Sequence, residues 1–129
     1  MIAVDTNIVV RLLVRDNSEQ RAKARALLKS GIFISRSVLM ETEWVLRSSY
    51  RLSRQTINDA LADLLALDGV HASDVAMLDW ALDRHGAGAD WADMLHLIDA
   101  QPYKAFATFD RGLSRAAGAE APVAIEVPK

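Results

Sequence analysis

The sequence predicts an α/β domain built on a parallel sheet, and three observations predict it. Short apolar runs such as Met1–Val4 and Ile32–Ile34 recur along the chain. Each is closed by turn or cap residues, and each of the first four leads into a longer segment whose apolar positions fall at helical spacing. Strands alternating with helices in this order are joined by crossovers, which make neighbouring strands parallel.

The elements follow in order. Met1-Ile2-Ala3-Val4 reads as a buried strand that stops at Asp5. Asp5-Thr6-Asn7 supplies turn and N-cap chemistry, and Ile8–Leu13 continues as a short helix. Asp16-Asn17-Ser18 caps a second helix over about 19–29, with Ala22, Ala26 and Leu27 inward and the basic residues outward, and Gly31 ends it. Ile32–Ile34 is the second strand. A helix over about 37–50 follows, with Val38, Val45 and Leu46 at helical spacing. Ser53 opens the next helix, whose stripe is Ile57, Leu61, Leu64 and Leu65, and Gly69 marks its end. A strand near Val70–Ala72 precedes a helix over about 73–85, punctuated by Gly86 and Gly88. Asp90 caps a helix reaching about Ala100, which Pro102 stops. Lys104–Thr108 is a strand leading to Asp110, a short helix spans about 112–117, and a last strand lies near Val123–Ile125. That makes five short strands in one domain, 1–129, with no internal repeat.

Composition narrows the function. The 129 residues are 51% hydrophobic and 25% charged, which fits a folded globular domain. The absence of cysteine excludes disulfides, thiolate zinc sites and cysteine nucleophiles. No apolar run reaches the roughly 18 residues a membrane span needs. Met1 leads directly into the first strand without a basic or long apolar leader, so a cytoplasmic protein is expected. The net charge of −2 conceals an asymmetry: residues 1–58 hold ten Lys/Arg and five Asp/Glu, residues 59–129 five and twelve. A basic first half is a hint of a polyanionic partner, although solvated helix faces would look the same.

Ligands of open parallel sheets bind beyond the carboxyl ends of the strands. Asp5 stands at the end of the first strand and Asp110 just past the fourth; either also serves as a cap or turn residue. Glu41, three residues after Val38 and four before Val45, is placed in the apolar stripe of its helix, where a carboxylate needs a partner or a metal. Glu43 is read instead as a surface pair with Arg47, four residues on. Asp90 and Asp93 open one helix, where both also suit the helix dipole. His96 is expected to be partly buried, and His71 and His85 show no metal-ligand spacing. Trp91, Met94, Leu95 and Ile98 read as core. Oxygen ligands of this kind suit Mg²⁺ or Mn²⁺. Such an ion relieves carboxylate repulsion and can activate water against a phosphodiester. There is no phosphate-binding glycine loop and no nucleophile elbow. A phosphoaspartate enzyme wants a second Asp where Asn7 stands.

Four segments carry a family resemblance: Val4-Asp5-Thr6-Asn7, Val38 to Leu46, Asp90 to Leu97, and Ala107-Thr108-Phe109-Asp110-Arg111. In this order and spacing the sequence resembles the PIN-domain ribonucleases, and among them the VapC-type toxins of bacterial toxin–antitoxin pairs. The resemblance implies a three-layer α/β/α arrangement, a sheet of about five short strands flanked by helices, with acids gathered around Mg²⁺ or Mn²⁺. Matched by position, those acids are Asp5, Glu41, Asp93 and Asp110, with Asp90 as a fifth ligand. Thr6, Asn7 and Thr108 would orient the carboxylates. The resemblance further implies a homodimer, a cognate antitoxin, an RNA substrate, and contact with operator DNA only through the antitoxin.

The expectation is therefore a metal-dependent endoribonuclease, with Arg11, Arg15, Arg21, Lys23, Arg25 and Arg36 available to RNA phosphates. A catalytically silent PIN-like partner or co-repressor module and a DNA structure-specific nuclease are the alternatives. Four carboxylates are unnecessary to a scaffold, and 129 residues leave little room for DNA-gripping insertions.

Overall fold

The computed structural model describes residues 1–129 and divides into two compact units, Met1–Ser73 and Asp74–Lys129. The first unit runs β1 (Ile2–Ala3), α1 (Thr6–Leu13), α2 (Ser18–Leu27), a 3-10 turn (Leu28–Ser30), β2 (Ile32–Phe33), α3 (Arg36–Ser48), α4 (Arg54–Ala66) and β3 (Val70–His71). The second runs α5 (Val75–Gly86), α6 (Trp91–Asp99), β4 (Phe106–Ala107), α7 (Leu113–Ala117) and β5 (Ile125–Glu126). The five strands and seven helices make a helix-rich α/β fold, as the alternating pattern predicts.

All strand pairs are parallel, in two sheets of order β1-β2-β3 and β4-β5. Each strand is two residues long, although the ladder bonds reach one residue further. Val4 N–H donates to Phe33 at 3.1 Å, Ile34 N–H to His71 at 2.9 Å, and Thr108 N–H to Glu126 at 3.0 Å. These ladders point the chain out of β1 at Asp5 and out of β4 at Asp110, the two strand ends singled out in the sequence.

Side-chain caps explain where the helices start. Asp5, Asn17, Ser35, Ser53, Asp74 and Asp90 each accept from a backbone N–H three residues on. A good cap of this kind contributes about 1 kcal/mol. Packing supplies the rest. In the first unit Val9, Ile32, Ile34, Leu39, Leu46, Leu61 and Leu64 are fully buried. In the second, Leu78, Ala81, Trp91, Met94, Leu95 and Leu97 are. Each large side chain among them contributes on the order of 1.5–3 kcal/mol. No helix is long and apolar enough to cross a membrane.

Three sequence expectations change. The first strand is exposed rather than buried: Ile2 is 52% accessible, Ala3 is exposed too, and only Val4 beyond the strand is covered by its neighbours. On α2 it is Ala24 that is buried, while Ala22 and Ala26 face solvent. On α3 the buried stripe is Leu39, Thr42, Glu43 and Leu46, one step round from Val38, Glu41 and Val45.

Candidate active site

In the first unit the relevant residues lie at the β1–α1 junction and on α3. Asp5 is exposed and caps α1, its Oδ1 accepting from the Ile8 N–H at 3.1 Å. The cap occupies one carboxylate oxygen, and a carboxylate has acceptor capacity beyond it. Thr6, the first residue of α1, is buried, and its hydroxyl donates to Oε1 of Glu41. Asn7 is exposed and lines, with Asp5, a groove of about 660 Å³. Ile2, Ala3, Val4, Ile8 and Leu27 form its apolar wall, and Arg11, Gln20 and Lys23 its polar one.

Glu41 and Glu43 exchange the environments assigned to them. Glu41 is exposed, and Glu43 is 6% accessible. The predicted partner of Glu43 is nevertheless correct: Arg47 Nε donates to Oε2 at 2.8 Å and its Nη2 to Oε1 at 3.4 Å. Glu43 is thus a buried carboxylate satisfied from its own helix. Glu41 is the carboxylate left facing outward.

In the second unit Asp90 caps α6, its Oδ2 accepting from the Asp93 N–H at 3.0 Å. Asp93 is half-buried, and its pKa is raised. Loss of solvation is the largest cause, followed by the negative charge of Asp90; His96 opposes the shift and Asp110 adds to it. Asp90 and Asp110 therefore both act electrostatically on Asp93. Asp110 is held in a tight turn, where its N–H donates to the Thr108 hydroxyl at 3.0 Å and its Oδ1 accepts from the Gly112 N–H at 2.9 Å. Thr108 accordingly orients the Asp110 backbone, not its carboxylate. His96 is exposed, against the expectation of partial burial. His85 is the buried histidine, packed edge-on against Trp91 at 5.7 Å.

Residues 2–119 match the PIN domain. The chain belongs to the PIN-domain family. PIN domains are in general metal-dependent nucleases, and the acids just described fall in the segments that carry the resemblance. A comparison of this PIN domain with functionally curated proteins finds no match.

The donor set of this PIN domain is all oxygen, which fits a hard divalent ion. As placed, no three Asp, Glu or His side chains stand close enough together to hold a metal. Asp93 supplies the electrostatic reason for one to bind: an adjacent cation would offset both its lost solvation and the repulsion from Asp90 and Asp110.

The basic residues divide into two groups. Arg11 is committed to structure, its Nε on Gln20 at 2.6 Å and its Nη1 on Asp16 at 3.0 Å and on the Tyr50 hydroxyl at 3.2 Å. Those bonds engage Nε and Nη1, which leaves the donors of Nη2 for any phosphate contact. Lys23 pairs weakly with Glu19 at 3.4 Å, both ends exposed. Arg15, Arg21 and Arg25 instead line a common groove of about 290 Å³ with Leu12, Leu13, Leu64, Leu67 and a single acid, Asp63. Arg36 lies in the first turn of α3. The Tyr50 hydroxyl also donates to Asp16 at 2.7 Å, a link across 34 residues without local sequence signature.

Proposed function

We propose that this PIN domain is a metal-dependent endoribonuclease, the toxin of a VapC-type toxin–antitoxin pair held inactive by a cognate antitoxin. The observation that carries the enzymatic part is the PIN-domain match over residues 2–119; the half-buried Asp93 on α6, which starts at its cap Asp90, supports it. Asp5, Glu41, Asp93 and Asp110 would hold Mg²⁺ or Mn²⁺, with Asp90 as a further ligand. When bound, the ion supplies Lewis acidity and an ionised water for attack on a phosphodiester.

The chain's own residues do the positioning. Thr6 donates to one oxygen of Glu41 and fixes its rotamer. Thr108 and Gly112 hold the turn that presents Asp110. The arginines 15, 21 and 25 neutralise RNA phosphates along their groove. RNA rather than DNA is the substrate that the resemblance to VapC-type toxins supports. A homodimer and an antitoxin that carries the operator-DNA contacts complete the reading.

Purified, antitoxin-free protein should cleave cellular RNA with Mg²⁺ or Mn²⁺ and lose that activity with Asp93→Asn. Intact RNA under those conditions, or cleavage that survives the substitution, overturns the proposal. Growth arrest on expression, relieved by a small upstream neighbouring gene, tests the toxin role separately.

A further inference from the structure

Each unit carries a large aromatic side chain in solvent beside one of the proposed ligands. Phe109 is 83% accessible and immediately precedes Asp110. Trp44 is 54% accessible and lies three residues after Glu41 on α3, where side chains three apart are neighbours on the helix surface.

Neither aromatic contributes much to its own core, and exposing so much apolar surface is unfavourable. The backbone that follows Phe109 is held in place. Its strand-end turn is braced by the bond from Asp110 N–H to Thr108 and by the bond from Gly112 N–H to Asp110. The ring therefore stands on a fixed backbone, with the exposed Arg111 two positions on. A solvent-facing ring on a braced turn, next in sequence to a proposed ligand, has the chemistry of a base-stacking platform. Unpaired bases are recognised in this way, and stacking tolerates any base because each has a π-face. Bases paired in a duplex offer no such face.

We infer that Phe109, with Trp44 as a second platform, stacks on unpaired nucleobases of the substrate. This assigns the base contacts of the substrate to these two rings, and it rests on the nuclease reading above.

The test is binding of fluorescently labelled oligoribonucleotides to the full chain in chelator, read by anisotropy, so that cleavage plays no part. Phe109→Ala should weaken binding of a single strand roughly five- to hundredfold. Phe109→Trp should restore it, and a strand with abasic sites in place of its bases should not distinguish Phe109→Ala from wild type. Trp44→Ala should follow the same pattern. Equal loss on the abasic strand, or no loss on the normal one, overturns the inference. So does a change in sedimentation of Phe109→Ala with RNA affinity intact, which would make the ring part of a protein interface. Base-dependent binding without any cleavage in Mn²⁺ would sink the nuclease reading alone. Cleavage of single strands unaffected by either substitution would sink the stacking alone.

Discussion

The hydroxyl of Thr6 donates to Oε1 of Glu41, joining the first turn of α1 to the middle of α3 across 35 residues. Glu41 is otherwise an exposed side chain with three rotatable bonds, so this one buried donor sets its position. Thr6→Val keeps the shape of the side chain and deletes the bond. Metal affinity and nuclease activity should fall about 10–100-fold, as when a group supporting a metal ligand is lost. Thermal unfolding should move little. Thr6→Ser, which keeps the donor, should retain most activity.

Glu41 and Glu43, two positions apart, should respond oppositely. Glu41→Gln should abolish nuclease activity while changing stability by less than about 0.5 kcal/mol, as for an exposed site. Arg47→Met leaves the carboxylate of Glu43 buried without its partner. Denaturant unfolding should show a loss of about 1–3 kcal/mol, with cleavage per folded molecule retained.

Asp93 carries a sign that can be checked against pH. Its folded pKa lies above the ordinary 3.8, so at neutral pH the ionised form is held at a cost that the unfolded chain does not bear. That cost vanishes as pH falls through the raised value towards 3.8. Metal-free Asp93→Asn should therefore melt above wild type at pH 7, and the gap should close on acidification. Mn²⁺ should raise the melting temperature of wild type and not of Asp93→Asn. A wild type that melts above Asp93→Asn at pH 7 without metal would contradict the burial and repulsion described.

Elsewhere in the first unit, the Tyr50 hydroxyl lowers the pKa of Asp16, with Arg11 assisting. A depressed carboxylate stabilises the fold above its unfolded pKa, and that stabilisation is lost as pH falls through the folded value. In Tyr50→Phe the Asp16 titration, followed by NMR, should move up towards the ordinary value. Acid unfolding should then begin at higher pH.

Gly69 has φ +88°, and a Cβ there would press against the carbonyl oxygen of Leu28. Gly69→Ala meets both a disfavoured backbone region and a backbone clash that no rotamer relieves. It should destabilise the chain by more than about 1 kcal/mol. Gly88→Ala, at φ +113° in open space, should cost less.

Local chemistry made much of this legible. Caps at Asp5, Ser53 and Asp90, the stripe Ile57–Leu61–Leu64 and the stop after Ala100 are written in neighbouring residues, and the helices formed where those signals lie. The acid-bearing segments were legible for the same reason, since each acid sits at a strand end, at a helix start or in a motif only a few residues long. The face of α3 was not. Val38, Leu39, Val45 and Leu46 allow two apolar stripes a step apart, and periodicity cannot choose between them. Packing chose Leu39 and Leu46, which buried Glu43 and turned Glu41 outward.

The sequence by itself determined the α/β class, the element order and the PIN-domain family, because these depend on short-range patterns and on motifs read along the chain. Only the tertiary structure decided which carboxylate is spent on Arg47 and which is braced by Thr6, that Arg11 belongs to Asp16 and Tyr50, and that Phe109 stands in solvent. Each of those outcomes depends on residues far apart in sequence or on how much of a side chain its neighbours cover, and no local pattern encodes either.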